Sequence, residues 1–196
     1  MQGVIEKNKP WKDADFPPVL SSLYDPDLDE CDVKTYKSFV WKRFKDIYRD
    51  PAIFRDGIEP NDIKQGALGD CYFLAVLSSL AEFPKRVEAL FYTKEINNAG
   101  IYLVKFFING NETPVIVDDY LPCTKDGKPA FAYSKNRELW VSVLEKAWAK
   151  LHGTYARTAG GLPSFACSHL IGVPSESILH KSVEESGTYE DFWEMI

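Results

Sequence analysis

The chain has 196 residues, 45% of them hydrophobic and 14% aromatic, enough to pack a core and too apolar for a disordered tail. Lys and Arg total 23 against 29 Asp and Glu, and the formal net charge of -6 argues against a polyanion-binding surface, so nucleic acid is not an expected partner. No stretch approaches the roughly 20 apolar residues of a membrane span, and the opening MQGVIEKNKPWKDADFPP lacks an apolar signal core, which makes the cytoplasm the expected location and excludes a transmembrane segment.

Residues 1–35 are rich in Pro and Asp without sustained periodicity, and read as a polar surface arm with a short helix near its end. Next comes WKRFKDIYRDPAIFRDG, where Pro51 stops a short helical segment and Asp56-Gly57 makes a turn. From Asp70 to Phe83, CYFLAVLSSLAEF is apolar on most faces and ends at Pro84, which predicts a central helix buried all round. A helix over about 85–92 follows. Residues 101–108 and 113–118 then flank Asn109-Gly110-Asn111, a hairpin signal between β-branched and aromatic runs. Between Glu138 and His152, Trp140, Leu144, Ala147, Trp148 and Leu151 recur at helical spacing up to Gly153. Helices and strands mix without strict alternation, which predicts an α+β fold. At the end, Thr188 can cap a helix whose apolar face, Phe192, Trp193 and Ile196, is left incomplete, so the chain is expected to be the first part of a longer protein.

Cys31, Cys71, Cys123 and Cys167 form no C-x-x-C pair and have no clustered His, which indicates free thiols rather than a zinc site or a disulfide framework. Cys71 stands apart. The loop Gln65-Gly66-Ala67-Leu68-Gly69-Asp70 feeds it into the first turn of an apolar helix, where unpaired N–H groups and the helix dipole favour a nucleophilic thiolate. Two glycines would let a substrate backbone approach. Gln65 could direct its amide N–H at the oxyanion formed when a thiolate attacks a carbonyl. The ordinary alternative is a buried cysteine on an apolar helix.

The run DIKQGALGDCYFLAVLSSLAEFP, preceded by DADFPP and WKRFKDI and followed by VDDYLPC and LEKAWAKLHGTYARTAGG, resembles the first protease-core subdomain of the calpains, calcium-dependent papain-like cysteine endopeptidases. The resemblance covers about residues 13–163 and divides the chain into the arm (1–35), the first core subdomain (36–174) and a connection into a second subdomain (175–196). It implies a papain-like fold whose helix-rich catalytic-Cys half carries a small β-hairpin. It further implies that Cys71 is the nucleophile, that Gln65 supplies part of the oxyanion hole, and that Gly161 of the Gly160-Gly161 pair binds substrate backbone. A calcium site is implied too, from the Asp62 and Glu138 carboxylates and the carbonyls of Arg55 and Gly57, an oxygen set of the kind calcium takes. Read without the resemblance, Asp62 could equally be a cap and Glu138 a first-turn helix charge.

Three departures stand out. Tyr72 replaces the family's usual Trp after the nucleophile. His169-Leu170-Ile171-Gly172-Val173 replaces a D-F-T-G-G segment, with only Gly172 matching. A papain-like cysteine also needs a His base some 130 to 150 residues downstream and an Asn to orient it, whereas His152, His169 and His180 all come sooner and the last Asn, Asn136, precedes them. His152 reads as a helix-end residue, His169 and His180 as loop or surface groups. The expected function is therefore the catalytic-Cys half of an endopeptidase acting on proteins, inactive until a downstream half supplies His and Asn. The alternative is a catalytically silent scaffold or interaction module of the same shape. A thiol-transfer protein is disfavoured because no resolving cysteine lies near Cys71.

Overall fold

A computed structural model describes residues 10–26 and 33–175. Cys31, His180 and the expected helix after Thr188 lie outside the described residues, as does all but the first residue of the 175–196 connection.

Two short helices, α1 (Leu20–Leu23) and α2 (Val33–Lys37), precede β1 (Val40–Arg43) and the one-turn α3 (Phe44–Ile47). A 3-10 turn, Pro60–Asp62, leads into β2 (Ile63–Lys64), then α4 (Cys71–Ala81) and α5 (Pro84–Glu88). β3 (Ile101–Ile108), β4 (Asn111–Asp118), β5 (Tyr120–Cys123) and β6 (Tyr133–Ser134) follow, and α6 (Trp140–His152) and α7 (Pro163–Ile171) complete an α+β arrangement.

The expected hairpin is present. β3 and β4 pair antiparallel from Ile101 opposite Asp118 to Ile108 opposite Asn111, joined by Asn109 and Gly110 at φ 52° and 76°. Both turn residues are left-handed, the two-residue geometry that matches strand twist and favours Asn-Gly. Two smaller antiparallel ladders, β1 with β5 and β2 with β6, were not predicted; at four and two residues per strand they are too short to show alternation. Trp41, Lys42 and Arg43 are strand, and only Phe44–Ile47 is helical in the segment read as a helix before Pro51.

The central helix is α6. Every residue from Trp140 to Ala149 is buried, Glu145 and Lys146 included. α4, predicted to be buried all round, is buried along Tyr72, Phe73, Leu74, Leu77, Leu80 and Ala81, while Cys71, Ala75 and Ser79 form an exposed stripe. Hydropathy misassigned the two helices because Cys, Ala and Ser are small enough to occupy either side of a wall, whereas Glu145 and Lys146 are buried by partners that lie far away in sequence. Phe73 stacks on Trp148 at 4.9 Å between ring centroids, locking α4 to α6.

The expectation of a surface arm is corrected as well. Asp13, Phe16, Ser22, Leu23 and Tyr24 are buried, and Phe16, Leu23 and Tyr24 share an apolar cluster with Phe131 and Tyr155. The Asp13 carboxylate accepts from Lys150 of α6 at 2.6 Å. α7 escaped prediction although its signals are ordinary: Pro163 opens it, and Gly172 at φ +74° ends it with its N–H on Ser168 O at 3.0 Å. His169 is accordingly a half-buried helix residue and not a loop group. Among the described residues no helix is long and apolar enough to cross a membrane.

Candidate active site

Cys71 is exposed and is the first residue of α4. Asp70 precedes it, and the Asp70 carbonyl accepts the N–H groups of Phe73 (2.9 Å) and Leu74 (3.2 Å), closing the first turn. Packing of the opposite side of α4 on α6 leaves the thiol on the outer face.

The loop before it is held from two sides. Ala67 N–H donates to Ala130 O at 2.9 Å, and a Cβ at Gly66 would come within 2.4 Å of the carbonyl oxygens of Ala130 and Phe131. Gly66 is therefore required by the protein's own backbone and not by an approaching substrate. On the other side Gly160 N–H donates to Gly69 O at 2.9 Å, which sets the Gly160-Gly161 pair beside the nucleophile loop. Gly160 has φ +75° with open space around its Cα, whereas a Cβ at Gly161 would lie 2.5 Å from the Tyr72 ring. Gln65 is exposed, and its side-chain amide donates to Leu68 O at 2.8 Å. That bond uses one N–H and anchors the side chain within the loop; the amide has a second N–H to offer.

Tyr72 takes a definite role. Its ring covers Gly161, and its hydroxyl accepts the Trp148 indole N–H at 3.1 Å. Burial raises the Tyr72 phenol, against the Trp148 hydrogen bond, so the hydroxyl stays neutral.

Of the residues implied as calcium ligands, Asp62, Glu138 and the Arg55 N–H lie about the short β2–β6 ladder, whereas among the described residues no contact places Gly57 with them. Asp62 and Glu138 are both buried. Asp62 accepts Glu59 N–H (3.0 Å) and the Asn136 amide (2.9 Å), and its carbonyl accepts Lys135 N–H. Glu138 accepts Arg55 N–H (2.6 Å), the Ser134 hydroxyl and the Trp140 indole (both 3.2 Å). Asp62 thus acts as a cap, as its alternative reading held, and Glu138 ties the Arg55–Gly57 turn to the start of α6. Among the described residues no Lys or Arg pairs with either buried carboxyl group, and an oxygen donor set of this kind fits a hard metal ion. No cluster of three or more His, Cys, Asp or Glu suited to a metal occurs among the described residues, so backbone carbonyls would have to complete the shell.

His152 and His169 each bond Nδ1 to the carbonyl four residues back, Trp148 and Phe165, at 2.8 Å. Their rings pack around Phe165 and Trp148. Burial lowers the His152 pKa, outweighing the bond to the Trp148 carbonyl. Among the described residues no hydrogen bond joins Cys71 to a histidine.

Sequence reasoning passed over two residues at this site. Asp70, next to Cys71, and Glu145 of α6 are both buried, and each carboxyl is pushed up chiefly by burial, Asp70 to about 6. The signal was available in the acidic residue next to the nucleophile and in a Glu among the apolar positions of α6.

Residues 11–196 match the family model described as calpain family cysteine protease. The chain is 40% identical over 182 residues to the calpain-type cysteine protease DEK1 of Zea mays, covering 89% of this chain and 8% of that protein. It is 37% identical over 183 residues to calpain-5 of Caenorhabditis elegans, covering 89% and 27%. Against the calpain-2 catalytic subunit of Rattus norvegicus it is 40% identical over 161 residues, covering 80% and 23%. The chain therefore spans less than a third of the length of each of these relatives. With the cysteine, its loop and the glycine pair arranged as described, the chain belongs to the calpain family of cysteine proteases.

Proposed function

We infer that residues 36–174, with the packed part of the arm, form the catalytic-Cys half of a papain-like, calcium-dependent endopeptidase of the cytoplasm, whose His and Asn come from a second core subdomain reached through 175–196. One observation carries the reading: an exposed Cys71 at the start of α4, with Gly160 bonded to the loop that delivers it. In this reading the Cys71 thiolate attacks the substrate carbonyl carbon, and the nascent oxyanion is met by backbone N–H groups of the first turn and the second N–H of Gln65. Gly160-Gly161 lies alongside the extended substrate, where the open space at Gly160 admits a backbone. A histidine then returns the proton to the leaving amine. Calcium, held by Asp62 and Glu138 with the carbonyls of Arg55 and Gly57, would fix the turn before the nucleophile against α6.

Casein digestion tests this. The chain alone is expected to cleave nothing with or without calcium, and the protein extended through the second subdomain to cleave casein only with calcium, with no activity in Cys71→Ser. Calcium-stimulated cleavage by the chain alone, lost in Cys71→Ser, would mean that the base lies within it. An extended protein inert under all conditions would favour the scaffold.

A further inference from the structure

Neither carboxylate oxygen of Asp70 has a hydrogen-bond donor among the described residues, although both are buried. A bare buried carboxylate carries the full penalty of an uncompensated charge. The group in hydrogen-bonding reach is another carboxyl, Glu145 of α6, itself fully buried and accepting the Ala132 N–H on both oxygens at 2.9 and 3.0 Å. Two ionised carboxylates repel and cannot bond; with one proton between them, one donates and the other accepts.

We propose that Asp70 and Glu145 share a single proton directly behind the Cys71 thiol, and that this pair is a positioning device which fastens the start of α4 to α6 while holding the charge behind the sulfur at minus one. The shared proton rests on the buried, donor-less carboxyl of Asp70 and its buried neighbour Glu145; its effect on reactivity rests on the reading of Cys71 as nucleophile.

The surroundings fit. Among the described residues no cation pairs with Asp70 or Glu145, and Lys146, the next residue on α6, points its ammonium instead at the Asp118 carboxylate and the Tyr120 carbonyl. The other titratable groups facing the pair are Tyr72 on α4 and Tyr155 after α6, with Cys71 next to Asp70 in the chain and Asp118 and Cys123 near Tyr155. Tyr155 is fully buried, its phenol is held neutral by burial and by the nearby carboxylates, and its hydroxyl has no acceptor among the described residues. Burial raises both carboxyls, Asp70 to about 6, and each also feels the other. A second negative charge here would oppose the thiolate a few bonds away.

Two measurements on one set of variants separate the proton from its consequence. Infrared spectra at neutral pH are expected to show the carbonyl stretch of one buried protonated carboxylic acid, absent from Glu145→Gln, whose amide donates to Asp70 in its place. Alkylation of Cys71 by iodoacetamide across pH, with the modified residue identified by mass, gives the second. Glu145→Gln keeps the pair at minus one and should leave the profile unchanged, whereas Asp70→Asn combined with Glu145→Gln leaves no carboxyl to ionise and should move it to lower pH, by about half a unit or more. Glu145→Ala, which removes the partner, should destabilise where Glu145→Gln does not. No protonated carboxyl in the parent would overturn the shared proton. A protonated carboxyl with identical alkylation profiles in the parent and the Asp70→Asn, Glu145→Gln double variant would overturn the coupling to the nucleophile while leaving the proton in place.

Discussion

The Trp148 indole N–H donates to the Tyr72 hydroxyl at 3.1 Å, connecting the buried face of α6 to the residue after the nucleophile. Tyr72 is thus held by α6 at its hydroxyl and presents its ring to Gly161. Replacing Tyr72 by Phe leaves a fully buried indole N–H without its acceptor, and a loss of about 1–3 kcal/mol is expected in denaturant titration. Gly161→Ala drives a Cβ into the ring and should cost about 1–3 kcal/mol. In a Tyr72→Leu background the same change should cost less, with a coupling above about 0.5 kcal/mol in the double-mutant cycle. Additive effects would show that the ring yields freely.

Lys146 and Asp118 form an ion pair in which both side chains are almost completely buried. Asp118 also accepts the N–H groups of Asp13 (2.9 Å) and Tyr120 (3.0 Å), so it joins the arm, β5 and α6. Lys146→Met should destabilise by about 3–5 kcal/mol because it strands a buried carboxylate, and Asp118→Asn added to it should recover part of that loss. Equilibrium unfolding of the two variants checks both.

Stability should fall as pH rises from about 4 to about 6. Burial raises Asp70 and Asp119 each to about 6 in the folded protein, Asp119 despite its Arg43 partner at 2.5 Å. The unfolded values lie near 4, so the folded state binds more protons across that window; this contribution is complete below about 4 and is lost as pH passes 6. Each group adds at most about 1.4 kcal/mol per pH unit. Urea unfolding across the window should show a shallower slope in Asp70→Asn than in the parent; an unchanged slope would remove Asp70 as a contributor.

The proposed calcium site predicts binding on the order of 10⁻⁵ to 10⁻³ M, since only two carboxylates contribute charge. Saturating calcium should raise the thermal midpoint by an amount set by its excess over the dissociation constant. Calorimetry with the parent, Asp62→Ala and Glu138→Ala decides it: heat of binding in the parent lost in both variants is expected, and no binding in the parent would eliminate the metal while leaving Cys71 untouched.

The sequence by itself determined what local chemistry controls. Asn109-Gly110 set the hairpin because its turn demands two left-handed residues, and Gly153 lies immediately after His152, where α6 ends. The loop from Gln65 to Cys71 was legible because a thiol in the first turn of a helix is a local arrangement. Everything that depends on distant partners waited for the tertiary structure. Gly66 is glycine because the chain returns at Ala130 and Phe131; α6 is central because Asp118 and Ala132 satisfy its buried Lys146 and Glu145; Tyr72 is fixed by Trp148 and Gly161. Hydropathy counts each residue where it stands in the chain, whereas burial of a polar group is decided by which donor or acceptor the fold brings to it, and that information is not present in any one segment.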